Sequence, residues 1–241
     1  MPIAGNIERI EERIQKSCDR AGRKREEITL MGVSKFVPVN LIKEAFNCGV
    51  RCFGESRVKE AFEKFSVFKE QEGSLSNDFA GARIHLIGSL QRNKAKQAVK
   101  LFDCIQSVDR NELIYELVKQ SAQRETQIDV LLELHTGEET KSGFLKLDDL
   151  FTAAEIISAA SLAVGGSNLR AAGLMTMAPF TGDADLIRAS FRQLVNAQKE
   201  LEKRFPGDNW KCLSMGMSND FEIAIEEGST MLRIGSAIFR D

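Results

Sequence analysis

The chain is poor in the residues that build metal centres and disulfide scaffolds. It has two histidines, His85 and His135, and five cysteines, Cys18, Cys48, Cys52, Cys104 and Cys212, in 241 residues. The cysteine number is odd and no Cys-x-x-Cys pair occurs, which argues against a disulfide framework and a zinc site. Neither histidine has metal-ligand spacing to another ligand, so no metal is expected. The net charge of -2 supplies no basic footprint for nucleic acid and no polybasic membrane patch. No apolar run approaches the roughly 18 residues of a membrane helix. The N-terminal stretch carries Glu8, Glu11 and Glu12 among its apolar residues, which reads as an amphipathic helix and not a secretory signal. A reducing, cytoplasmic setting is expected. There is also a single tyrosine, Tyr115, which limits the choice of acid and base groups.

What is present is regular. Hydrophobic residues make up 43% and charged residues 28%, ordinary for a globular chain long enough for one large α/β core. Eight strand-like runs stand at 28–34, 50–54, 83–88, 102–108, 128–134, 169–175, 211–214 and 231–234. Helix-period patterns alternate with them at 39–47, 57–68, 90–100, 112–124, 147–160, 183–204 and 219–227. Asp183 is an N-cap candidate, and Gly228 a C-cap signal. Strict alternation with eight strands predicts an α/β fold, a (β/α)8 barrel forming one domain over residues 1–241, with an extra helix at 3–21. An open doubly wound sheet is compatible with the same strand count. Residues 71–82 read as a surface insertion loop.

The chemistry-bearing residues fall after the strands, where barrels collect their functional groups. Lys35 follows the first strand. Gly54, Glu55, Ser56 and Arg57 follow the second. Ser214, Met215, Gly216 and Ser218 follow the seventh, and Gly235 and Ser236 the eighth. Small and hydroxyl residues let backbone N–H groups approach an anion, and barrels often build a phosphate site from their last two loops. A phosphate cradle with a lysine at a strand end points to a phosphorylated carbonyl compound held as a Schiff base. Arg233, inside an otherwise apolar final strand, needs an acceptor or anionic partner: either a barrel carboxylate or the ligand. His85 reads as a satisfied core histidine. The Gly137–Ser142 stretch is excluded as a P-loop, because Thr140 precedes its lysine and Glu138 and Glu139 repel phosphate.

At these residues the chain resembles the pyridoxal phosphate homeostasis protein family. The matching segments are 33–38 (Val-Ser-Lys-Phe-Val-Pro), 53–55 (Phe-Gly-Glu), 84–94 (Ile-His-Leu-Ile-Gly-Ser-Leu-Gln-Arg-Asn-Lys) and 106–109 (Gln-Ser-Val-Asp). They continue at 138–143 (Glu-Glu-Thr-Lys-Ser-Gly), 173–175 (Gly-Leu-Met), 213–218 (Leu-Ser-Met-Gly-Met-Ser) and 233–235 (Arg-Ile-Gly). The resemblance implies a single barrel like the N-terminal domain of alanine racemases, of the fold-type III pyridoxal phosphate class. It implies pyridoxal 5′-phosphate bound as a Schiff base on Lys35, with Ser214, Met215, Gly216, Ser218, Arg233, Gly235 and Ser236 completing the cofactor site. It implies a role in intracellular vitamin B6 homeostasis, with cofactor-dependent apo-enzymes as recipients, for a monomer or weak dimer. The chain departs from the family pattern at Ser56-Arg57 (often Asn-Tyr), at Val37 (often lysine), and in the fifth strand, where Leu132 and Leu134 align with polar residues.

Two other functions fit parts of the pattern. A two-base amino-acid racemase needs an acid/base group opposite the lysine, commonly a tyrosine. Tyr115 lies in the helix after strand four, and a chain ending at Asp241 leaves no room for a second domain. An aldolase-like barrel would use Lys35 on a sugar phosphate with Glu55 as acid/base. The expected outcome is a binding protein without strong turnover.

Overall fold

Eight parallel strands close into a barrel in strict chain order, β1 pairing with both β2 and β8. This is a computed structural model, and it describes residues 3–66, 79–137, 142–163 and 166–240. The strands are β1 (Thr29–Val33), β2 (Cys52–Glu55), β3 (Arg83–Leu86), β4 (Cys104–Val108), β5 (Ile128–Glu133), β6 (Leu169–Met175), β7 (Cys212–Ser214) and β8 (Met231–Ile234). Closure excludes the open doubly wound sheet. Helix α1 (Ile3–Ala21) precedes the barrel. Then α2 (Val39–Asn47), α3 (Val58–Phe65), α4 (Ala95–Leu101), α5 (Asn111–Ser121), α6 (Leu147–Leu162), α7 (Ala184–Arg204) and α8 (Phe221–Glu226) alternate with the strands, and α9 (Ser236–Phe239) follows β8.

Side chains alternate across each strand, so each strand serves two cores. Outward residues such as Phe53, Ile84, Ile105, Val130, Leu174 and Leu232 pack beneath the helices in the large core. Inward residues form two small clusters rich in sulfur. One holds Met31, Cys52 and Met231, the other Cys104, Leu131, Ala172 and Met175, and Cys212 packs against both. Burial raises the pKa of Cys52, Cys104 and Cys212, so these thiols are neutral packing groups. Gly173 lets β7 approach β6: a Cβ there would stand 1.9 Å from the Cys212 carbonyl oxygen.

The helix ends follow local chemistry. The Asp183 carboxylate accepts from the N–H groups of Asp185 and Leu186 and caps α7. Gly228, with φ +101°, reverses the chain after α8. Helix α1 packs along the barrel side against α2, α8 and α9. Two details differ from the sequence reading. Residues 92–94 wind a 3-10 turn before α4, and the Gly-Ser loop after β8 continues as α9. The insertion loop, apart from residues 79–82, and residues 138–141 lie outside the described residues. Among the described residues, no three His, Cys, Asp or Glu side chains are placed to hold a metal ion, and no helix is long and apolar enough to cross a membrane.

Candidate functional site

A cavity of ≈ 380 Å³ opens at the C-terminal mouth of the barrel. Lys35, Ser218, Arg233, Gly235 and Ser236 all line it, drawn from the ends of β1, β7 and β8. Val33, Ile87, Met175 and Met177 supply apolar walls, and Phe180 and Thr181 stand at its rim. A second cavity of ≈ 330 Å³ adjoins it and also reaches Lys35, Gly235 and Ser236.

Lys35 sits on a tight turn with a built support. The Val37 N–H donates to the Ser34 carbonyl at 3.0 Å, and Phe36 takes a left-handed conformation with φ 61°. The Phe36 N–H donates to Glu60 Oε1 at 2.5 Å. Beneath the turn, Lys64 Nζ donates to the Ser34 carbonyl at 2.7 Å, to Glu60 Oε1 at 2.6 Å and to Glu55 Oε1 at 3.0 Å. The Ser34 hydroxyl also donates to Glu55 Oε1, at 2.7 Å. All three protons of Lys64 are thus engaged. Lys35 itself is exposed and has no hydrogen bond or ion pair among the described residues. Of the two lysines, only Lys35 has an amine free to meet a ligand. Burial pushes the Glu55 carboxyl above its usual range, with Ser34 and Lys64 pulling the other way. Glu55 therefore belongs to the support of the turn.

Two short stretches of backbone face the cavity from the other side. The N–H groups of Ser218, Asn219 and Ser236, all of which line it, donate to no acceptor among the described residues. Ser218 and Ser236 add hydroxyls. At Gly235 a Cβ would come within 3.3 Å of the Val33 Cβ, so a side chain there would crowd the β1 end. Unpaired N–H donors on two adjacent loops form a cradle for an oxyanion. The residues present therefore fit a ligand with a phosphate at one end and a carbonyl carbon at the other.

Arg233 is buried at the cavity floor. Its Nη1 donates to the Ser214 carbonyl at 2.6 Å and to Ser214 Oγ at 2.8 Å, and its Nη2 to the Thr176 carbonyl at 2.7 Å. It has no salt bridge among the described residues, so the barrel-carboxylate alternative is not what holds it. Burial lowers its pKa to about 10, with Asp220 and Glu133 opposing, and it stays protonated at neutral pH.

Ser214, Met215 and Gly216 do not line the cavity. Ser214 is fully buried and anchors Arg233, Met215 points into the outer core, and the Gly216 carbonyl accepts the Arg233 N–H at 2.9 Å. These three residues stand behind the site. In β5 the inward residues are Leu131 and Glu133, while Leu132 and Leu134 face the helices. The fifth strand thus turns Glu133 inward on the face that also carries Asp129, and turns Leu132 and Leu134 outward, an orientation the sequence left open. The bulge between these strands lies in β6, where Ala172 is skipped between the pairs Val130–Ala171 and Leu131–Gly173, and the alternation of β5 itself is unbroken. Asp220, which accepts the Met217 N–H, also lines the cavity. Its place before α8 was the available signal. His85 is buried but only half satisfied: Nδ1 meets Gln106 and Nε2 has no partner among the described residues. Tyr115 is 61% exposed on α5, remote from the mouth.

Comparison with known proteins adds independent weight. The family model for the N-terminal domain of alanine racemase matches residues 6–241. A curated pyridoxal phosphate homeostasis protein from Aquifex aeolicus is 37% identical over 242 residues, covering 99% of this chain and 98% of the relative. The structure of PipY from Synechococcus elongatus with pyridoxal phosphate bound superposes with a TM-score of 0.76 at 32% identity, covering 95% of this chain and 99% of PipY. An alanine racemase from Clostridium difficile shares the fold, with a TM-score of 0.66 at 12% identity, and this chain covers 55% of it.

Proposed function

The chain belongs to the pyridoxal phosphate homeostasis protein family, and from that premise we propose that it binds pyridoxal 5′-phosphate at the barrel mouth with Lys35 as its covalent anchor. The observation that carries this reading is one cavity lined by Lys35, whose amine has no partner among the described residues, and by Ser218, Asn219 and Ser236, whose N–H groups have none either. The cofactor, when bound, brings an aldehyde for Schiff-base formation and an electron-withdrawing ring. The serine and glycine loops take its phosphate by N–H and hydroxyl donation. Arg233 donates only, so whatever it meets is an acceptor: a phosphate oxygen or an unprotonated ring nitrogen.

The same geometry supports holding over turnover. Among the described residues, no tyrosine, cysteine or histidine lines the cavity to act as a second base opposite Lys35. The role that follows is reversible custody of the cofactor in the cytoplasm and its release to apo-enzymes. The test is an absorbance titration with pyridoxal phosphate, paired with a racemisation assay on alanine. A near-visible band that Lys35→Ala removes, with no D-alanine formed, is the expected result. Accumulation of D-alanine at enzyme-like rates would overturn the non-catalytic part, and an unchanged band in Lys35→Ala the anchor.

A further inference from the structure

The opposite end of the barrel holds a larger cavity of ≈ 500 Å³. It lies where β1, β2, β3 and β8 begin, beneath α1, and its wall includes Arg25, Arg51, Arg83, Glu11, His85 and Met231. Nothing in the cofactor reading uses it.

A directional chain of hydrogen bonds determines what this cavity offers. It starts at Arg233, which can only donate and gives a proton to Ser214 Oγ at 2.8 Å. The single Ser214 hydroxyl proton goes to Gln106 Oε1 at 2.7 Å. That fixes the Gln106 amide, whose NH2 group then faces His85 Nδ1 at 2.8 Å and Met231 Sδ at 3.1 Å. His85 Nδ1 must accept, so the neutral ring carries its proton on Nε2. Gln106 lies two residues beyond Cys104, which pairs with His85 in the sheet. The Nδ1 edge of the ring therefore faces up the barrel toward Gln106, while His85 also lines the cavity at the other end. His85 is 2% exposed, and its Nε2–H has no acceptor among the described residues. A buried donor without an acceptor is costly and calls for one.

The charges around it select the acceptor. Arg25 is matched by Glu11 at 2.6 Å and 2.7 Å. Arg83 and Arg170 both pair with Asp129 at 2.7 Å, and Asp103 adds a second negative charge near Arg83. Arg51 donates to the carbonyls of Phe46 and Val50 and lies over the Phe46 ring, with no carboxylate partner among the described residues. The wall is left with an excess of positive charge.

We propose that this end of the barrel is a second ligand site, taking a small phosphate- or carboxylate-bearing anion that accepts from His85 Nε2–H and meets the charge of Arg51 and Arg83. The site is separate from the cofactor mouth and joined to it by the Arg233–Ser214–Gln106–His85 chain.

With only two histidines, the test is direct. Imidazole nitrogen NMR of histidine-labelled protein is recorded during titration with inorganic phosphate and, separately, succinate. The expected result is a His85 ring protonated on Nε2, with that signal moving saturably for one anion or both. Whichever moves it defines the ligand class. Arg51 is exposed, so Arg51→Ala should keep the fold and weaken the anion roughly tenfold. The proposal is overturned by a His85 ring protonated on Nδ1, or by a signal unmoved at tens of millimolar of either anion. A response undiminished in Arg51→Ala overturns it as well, because that response then arrives from phosphate at the mouth.

Discussion

Lys64 holds Ser34 by its backbone carbonyl at 2.7 Å, one residue before the lysine proposed to anchor the cofactor. Among the described residues, the same ammonium is the only cation paired with the buried Glu55 carboxylate. Lys64→Met should therefore do two things. It leaves Glu55 in a low-dielectric site without a countercharge, costing about 3 kcal/mol in urea unfolding. It also frees the turn, so cofactor affinity should fall. Adding Glu55→Gln should restore much of the stability without restoring the affinity. Recovery of both by the double variant would show that Lys64 acts through stability alone.

The Gly216 carbonyl accepts the Arg233 N–H, and its φ of +97° suits glycine. A Cβ there would stand 2.6 Å from the Ala224 Cβ. Gly216→Ala should cost about 3 kcal/mol, combining backbone strain with overpacking. Chemical denaturation measures it, and a cost near zero would mean the loop relaxes freely.

Acid should destabilise the fold through His85. Burial, with Arg83 adding to it, lowers its pKa from 6.5 to about 3, so the folded chain keeps the ring neutral while the unfolded chain takes up a proton. This contribution is fully present above pH 6.5 and is lost as pH falls toward 3, at no more than about 1.4 kcal/mol per pH unit. Burial raises Glu55 and Glu133, whose contributions have the opposite sign: present below 4.5 and lost as pH rises through their folded values. Denaturation curves of wild type and His85→Gln between pH 4 and 7 separate the two. The variant should lack the acid-side loss, and an identical slope in both would refute the assignment.

Ser236 and Ser218 are proposed to face a phosphate. Ser236→Asp places a carboxylate in the cradle and should reduce pyridoxal phosphate affinity by at least about tenfold, from like charge and a lost donor. Circular dichroism should be unchanged, since Ser236 lines the cavity. Unaltered affinity would move the phosphate elsewhere.

The barrel was readable because its signals are local. Eight apolar runs, the first seven each followed by a helical period, gave every strand to within a few residues, and Asp183 and Gly228 marked their helix ends. Lys35, Ser218, Gly235 and Ser236 were legible for the same reason: they occupy the loop positions that parallel topology sends to one end. What the pattern could not carry was orientation. Ser214 and Gly216 sit in the same run as Ser218, yet turn inward to hold Arg233, because alternation within a three-residue strand is set by pairing with its neighbours. Glu133 was passed over because every residue of β5 is buried, so alternation along the strand does not mark which face is inward. His85 was judged by residue type, whereas its tautomer and open donor depend on a chain of partners as distant in sequence as Arg233.

The central claim is that Lys35 is the covalent anchor of the cofactor. It is tested most directly by loading the protein with pyridoxal phosphate, reducing with borohydride, and mapping the labelled peptide by mass spectrometry. The account predicts a single adduct on Lys35, absent in Lys35→Ala, with Lys64 unlabelled. An adduct on Lys64 or any other lysine, or none at all, would contradict it.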